Sequence, residues 1–252
     1  MKRLDVLWAM ILGLALWQTI VWITQAPHFI LPSPWRVAQA GFDSRALILE
    51  HASVTALEVL LGLILGTVLG VVTAIQMAAS PMMQRLILPI LVFTQAVPVF
   101  ALAPVLTLWF GYGISSKIIM AVLIIYFPVT SAFFDGLKRV DPALMDLART
   151  MGGTRPQIMR RIQIPQALPA LGSGLRLAAV YAPIGAVIGE WVGASQGLGY
   201  LMLLANGRAK IDLMFASLIA LAILTVLLHK AISVMAERLD VFAAGSAQSV
   251  KP

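Results

Sequence analysis

The stretch Asp141-Pro142-Ala143-Leu144-Met145-Asp146-Leu147-Ala148-Arg149-Thr150-Met151-Gly152-Gly153-Thr154-Arg155-Pro156-Gln157-Ile158-Met159-Arg160-Arg161-Ile162-Gln163-Ile164-Pro165 reads as a helix, a break and a second helix. Asp141 is a good N-cap and Pro142 suits the first helical position, where a missing N–H costs nothing. Ala143 to Met151 are mostly helix formers, and Gly152-Gly153 end the run. Thr154 caps a second helix with Pro156 in its first turn and Arg160 and Arg161 toward its end. Pro165 is expected to stop it. The result is a short exposed helix held by a compact turn.

What surrounds this segment is strongly apolar. The 252-residue chain is 60% hydrophobic and 12% charged, with a mean hydropathy of +0.92. Such a chain cannot cover a water-facing surface with charge. No Asp, Glu, Lys or Arg occurs in 6–35, 59–84, 86–116, 118–134 or 213–229. Each of these can hold the roughly 20 apolar residues that cross a bilayer core. Helices satisfy their own backbone in lipid, and the short alternating strands of a β-barrel are missing. The reading is an all-α membrane protein of about six spans, at about 5–25, 53–79, 86–109, 117–136, 170–192 and 213–235. The whole chain, 1–252, is taken as one transmembrane domain with its core at about 50–240 and the polar segment at 137–169.

The net charge is +7 and the sequence pI about 10.1. The basic residues sit mostly in connecting segments, so they indicate orientation rather than nucleic-acid binding. With the N-terminus inside, the cytoplasmic set is Lys2, Arg3, Arg85, Lys138, Arg139, Arg149, Arg155, Arg160, Arg161, Arg176, Lys230, Arg238 and Lys251. The external set is Arg36, Arg45, Lys117, Arg208 and Lys210. Thirteen against five places both termini and 137–169 in the cytoplasm. The run from Val6 to Thr24 is long for a signal-peptide core, and Gln25-Ala26-Pro27-His28 is a poor cleavage site, so the first helix is expected to be retained. The segment 26–52 reads either as an interfacial amphipathic stretch or as a loop with a short helix.

Cysteine is absent, which excludes disulfides and thiol chemistry. His28, His51 and His229 are far apart and stand in no metal or catalytic spacing, so they are expected to be ordinary loop or interface residues. No catalytic constellation and no metal cluster is legible. Gly111-Tyr112-Gly113-Ile114-Ser115-Ser116-Lys117 lacks the glycine directly before the lysine that a phosphate loop needs.

Two glycine ladders, Gly62, Gly66, Gly70 and Gly185, Gly189, Gly193, keep one helix face open to a close neighbour. Prolines at 89, 98, 104, 128 and 183 fall inside spans, where they kink helices. Glu58 is expected near the interface at the outer end of its span. Glu190 reads either as a gate or as an interfacial partner of Arg208 or Lys210. Gln95 is a polar group in a long uncharged span, and Phe93, Phe100, Trp109, Tyr126 and Tyr181 can either stack on a planar solute or pack against helices.

The 141–165 segment resembles the EAA loop of binding-protein-dependent ABC importer permeases. That loop reads Glu-Ala-Ala, three residues, Gly, nine residues, Ile, one residue, Leu-Pro. Here Asp146-Leu147-Ala148, Gly152, Ile162 and Ile164-Pro165 stand at those positions, with Asp for Glu, Leu for the first Ala and Ile for Leu. The resemblance extends over about 31–240, through Leu31-Pro32-Ser33-Pro34, Trp109-Phe110-Gly111-Tyr112-Gly113, Gly189-Glu190-Trp191 and Gly197-Leu198-Gly199-Tyr200. It is strongest toward the nitrate, sulfonate and taurine branch. Gln95 to Pro104 and Tyr126-Phe127-Pro128-Val129-Thr130 resemble permeases for thiamine pyrimidine precursors.

The resemblance implies a type I ABC importer (MetI-like) permease fold in a bacterial inner membrane. It implies a coupling helix whose Asp146, Leu147, Ala148, Met151, Gly152, Ile162 and Pro165 meet an ATP-binding ATPase subunit. It further implies an external substrate-binding protein and a second permease copy, most simply a homodimer. ATP and Mg would be bound by the ATPase, with no cofactor on this chain. The pathway or gate candidates are Gln95, Phe100, Tyr126 and Glu190. The alternative is an ion-gradient-driven secondary transporter, which would leave 137–169 unexplained.

Overall fold

The computed structural model describes residues 3–248; Met1, Lys2 and Lys251, which the charge and leader readings use, lie outside them. Every described element is helical: α1 (Arg3–Thr24), α2 (Pro34–Asp43), α3 (Arg45–Ala79), α4 (Pro81–Ala96), α5 (Val99–Phe110), α6 (Ile114–Lys138), α7 (Pro142–Thr150), α8 (Arg155–Ile158), a π-turn (Met159–Gln163), α9 (Ile164–Gly193), α10 (Leu198–Gly207) and α11 (Ile211–Gln248). Five helical stretches are long and apolar enough to cross a membrane, and α4 with α5 makes a sixth.

The sequence places one span at 86–109, whereas the structure has two helices meeting at 101°. Val97 is extended and Pro98 opens α5. Proline drives the residue before it out of the α region and cannot donate its own N–H, so the chain turns here. Pro89, Pro104, Pro128 and Pro183 lie within helices that continue. The bent pair still crosses as a unit. Pro81 lies beside α7 and the end of α6, whereas α5 ends three residues before the opposite end of α6 begins.

Three further boundaries differ from the sequence reading. The second span starts at Arg45 rather than 53, and its 35 residues make a rod of about 52 Å, longer than the bilayer core. The 26–52 segment therefore resolves into the start of α3 and the short α2, which Ser33 caps by accepting the Arg36 N–H. Arg36 also pairs with Asp212 at 2.9 Å, fastening α2 to the start of α11. Pro165 does not stop the second cytoplasmic helix. The π-turn, with Ile164 N–H reaching Met159 O, widens the backbone and leads straight into α9, where Pro165 sits in the first turn. Finally, α10 occupies a stretch with no predicted element; at ten residues it is too short to register as a span.

α6 is the centre of the bundle, packed between α3 and α9. Small residues make this possible. A Cβ on Gly62 would stand 2.5 Å from the Ala121 Cβ, and one on Gly70 would stand 2.9 Å from Val129. A Cβ on Gly185 would meet the Ala121 backbone at 2.6 Å, and one on Gly189 would meet Lys117 at 2.9 Å. The first ladder and Gly185 and Gly189 of the second thus face the same helix, and Ala121 is gripped between Gly62 and Gly185. Gly66 lies against Ile125, and Gly193 against Tyr112 and Thr107. Without a hydrophobic drive between helices in lipid, such close approach supplies the dispersion contact that holds a bundle together. Phe133, Met77, Leu91 and Leu137 fill the layer below.

Candidate functional site

Three places carry chemistry: the polar helix at one end of the bundle, a groove along α6, and a buried polar cluster toward the opposite end.

The polar helix is α7. Asp141 caps it by accepting the Ala143 N–H at 2.9 Å. It ends in a Schellman motif, with Gly153 N–H donating to Ala148 O at 2.9 Å and Gly152 N–H to Arg149 O at 2.9 Å. The motif needs a left-handed residue, and Gly152 has φ +79°. Thr154 and Gln157 then form a capping box that starts α8. Gln163 returns to α6, its amide donating to Leu137 O at 3.2 Å. The turn is therefore rigid although it lies outside the bundle. Its outer face is apolar: Leu147 and Met151, one turn apart, are 56% and 80% exposed. Asp146 pairs with Arg149 at 3.0 Å and, with Met145 and Arg149, borders a cavity of about 330 Å³ between α7 and the ends of α3, α4 and α6.

The groove, about 650 Å³, runs along α6 from Ile124 to Asp135, about 16 Å. It reaches the end of α6 from which α7 emerges. Its walls come from the α4–α5 break (Thr94, Gln95, Val97, Pro98), from α6 (Phe127, Pro128, Ser131, Asp135) and from α9 (Leu177, Tyr181). Of the four pathway candidates only Gln95 lines it. Phe100 points outward, and Tyr126 turns to α3, donating to Thr73 Oγ1 at 3.0 Å. Asp135, Ser131 and Thr94 were not singled out from the sequence. Asp135 marks the end of a charge-free run and reads there as a boundary.

The buried cluster corrects two expectations. Glu58 is not interfacial; it is fully buried beside Lys117, whose Nζ lies 3.1 Å from Glu58 Oε1. Lys117, counted in the external set, is itself buried in the bundle. Glu190 pairs with neither Arg208 nor Lys210. It is 1% exposed, accepts the Thr55 hydroxyl at 2.6 Å, and accepts the N–H groups of Gly199 and Tyr200. Thr55 in turn accepts the Leu198 N–H at 2.8 Å, and His51 Nδ1, also buried, accepts that of Gly197 at 3.0 Å. Gly197 has φ +110°, and a Cβ there would collide with the Glu190 carboxyl. The Glu190 carboxyl thus lies on the amides of the first turn of α10. Nothing in the spacing of Thr55, Glu58, Lys117 and Glu190 signals this meeting. Among the described residues no group of three or more His, Cys, Asp or Glu is placed to hold a metal.

Residues 66–241 match the family model described as binding-protein-dependent transport system inner membrane component. The chain belongs to that family. It is a multi-pass inner-membrane ABC importer permease, and the ion-gradient alternative is set aside. The chain is 48% identical over 89% of its length to a probable ABC transporter permease protein of Haemophilus influenzae, of which it covers 92%. It is 39% identical over 68% of its length to the formylaminopyrimidine transport permease protein ThiX of Halalkalibacterium halodurans, covering 69% of that protein. It is 27% identical over 90% of its length to the taurine transport system permease protein TauC of Escherichia coli, covering 85%. The inward-facing MetNI methionine ABC transporter superposes with a TM-score of 0.59 over 82% of this chain and 98% of the other, at 21% identity. That likeness gives the fold, the MetI-like type I permease fold with α7 and α8 as its polar excursion.

Proposed function

We propose that this permease is driven by an ATPase that docks on α7 and that it imports a small nitrogen heteroaromatic solute. The observation that carries the docking is the apolar face of Leu147 and Met151 on a helix that leaves the bundle and is fixed at both ends. Exposed apolar residues on a rigid helix are what a partner's cleft would bury. Asp146, Ala148 and Gly152 would set its rim and turn, and Ile162 and Pro165 would join it to α9. ATP and Mg would belong to that partner. The polar end of the bundle would face the cytoplasm together with both termini, as the basic residues favour.

A second copy of the chain would cover the exposed apolar surface of α4 and α5, where Phe93, Phe100, Leu108 and Trp109 lie outward, and would close the groove into a path. An external binding protein would deliver the solute, and closure of the ATPases would switch the bundle by rigid movement of α7. The solute class is favoured by the formylaminopyrimidine permease relative and by the 37% identical riboflavin transport system permease protein RibX of Chloroflexus aurantiacus.

The test is co-purification from mild detergent with mass spectrometry of what accompanies the tagged chain. An ATPase subunit is expected with the native sequence and not with Leu147→Asp/Met151→Asp, whose elution as a folded particle should be unchanged. Retention of the ATPase by the double variant would move the docking site elsewhere.

A further inference from the structure

The groove along α6 holds one acid and no base. Its lining contains Asp135 but neither Lys nor Arg, and among the described residues Asp135 has no ion-pair partner. Its other polar side chains are the Thr94 and Ser131 hydroxyls, the Gln95 amide and the Tyr181 phenol. Two backbone irregularities border the same groove. Pro128 cannot donate to the carbonyl of Ile124, and both residues line the groove. The break at Val97-Pro98 likewise frees the last carbonyls of α4. Irregular backbone at membrane depth persists where it borders a polar cavity. The inventory is therefore rich in acceptors, faced by the rings of Phe127 and Tyr181, in a volume of about 650 Å³ that suits a small molecule.

We propose that this groove is a solute-contact site of the permease itself, selective for a planar ring bearing N–H donors or a positive charge. Asp135 anchors the ring nitrogen substituent, Gln95 reads a second ring edge, and Tyr181 and Phe127 flank its faces. A sulfonate or other anion would meet an uncompensated carboxylate and a row of acceptors, so the groove rejects it. This rests on the importer reading above and adds the residues that select the solute.

The experiment uses the complete transporter, permease with ATPase and binding protein, in sealed lipid vesicles. Uptake of labelled formylaminopyrimidine and of labelled taurine is measured beside ATP hydrolysis. Retention of formylaminopyrimidine by the complex without binding protein is measured by equilibrium dialysis. The native transporter should take up the pyrimidine and not taurine. Asp135→Asn should lower uptake and retention at least about tenfold while ATP hydrolysis stays near native, and Asp135→Glu should recover part of both. Because Asp135 is exposed and unpaired, neither variant should disturb folding. Native uptake by Asp135→Asn, or taurine transport by the native protein, would overturn the site while leaving the importer reading intact. A native complex with no ATP hydrolysis at all would instead overturn the importer reading and the site with it.

Discussion

Thr55 and Glu190, 135 positions apart in the chain, are joined by a 2.6 Å hydrogen bond in which the threonine hydroxyl donates to the carboxylate while accepting the Leu198 N–H. The pair fastens α3 to α9 and caps α10 at once. Thr55→Val keeps the shape and removes both bonds, leaving a buried amide and a carboxylate oxygen unsatisfied. A loss of about 2–4 kcal/mol is expected, since each orphaned group costs about 1–3 kcal/mol. Thermal unfolding in detergent, followed by tryptophan fluorescence, would show it as a lowered midpoint. Thr55→Ser should stay near native.

Gly62 and Gly185 both press on Ala121, but on different parts of it. A Cβ at 62 meets the Ala121 side chain, whereas a Cβ at 185 meets its backbone. Gly62→Ala and Gly185→Ala should each destabilise by about 1–3 kcal/mol through overpacking. Adding Ala121→Gly should restore the first and leave the second unrepaired. Equal rescue of both would contradict this packing.

Lys117 and Glu58 form an ion pair shielded from solvent. Lys117→Met strips the buried Glu58 carboxyl of its ion-pair partner, and should cost about 3–5 kcal/mol. Replacing both, as Lys117→Met with Glu58→Leu, removes the stranded carboxyl and should regain most of it. The yield of folded, monodisperse protein and its unfolding midpoint give the comparison.

Gly152 stands in open space at φ +79°. A side chain there is penalised by backbone strain of about 1–2 kcal/mol and not by collision. Gly152→Asn, which tolerates this conformation, should behave nearly as the native chain. Gly152→Val should unseat the Schellman turn, so that uptake falls while ATP hydrolysis and membrane insertion persist. Normal uptake by the valine variant would separate this turn from coupling.

The spans were legible because a charge-free run of bilayer length has few other uses, and α7 was legible because its caps are local. Asp141, Gly152 and Thr154 each act within a few residues of themselves. The bend at Val97-Pro98 was not legible, since Pro104 and Pro128 carry the same local signal and their helices continue. Which proline breaks depends on what packs beside it. Glu58, Lys117, Thr55 and Glu190 were read one at a time because their meeting is created by α3, α6 and α9 coming together. The position of Asp135 inside a groove likewise follows from α4 and α9, not from its neighbours in sequence.

The π-turn at Met159–Gln163 leaves no gap between α8 and α9, so 155–193 forms one hydrogen-bonded rod. From Arg155 to Glu190 that rod measures about 52 Å. One of its ends adjoins the turn at Gly152, and the other holds the carboxylate that caps α10. Pro169 and Pro183 lie between them, each removing a backbone hydrogen bond without ending the helix. The two ends of the molecule are therefore tied through a single helical element, with the Gly152 turn before its start and the bond between Glu190 and Thr55 near its finish.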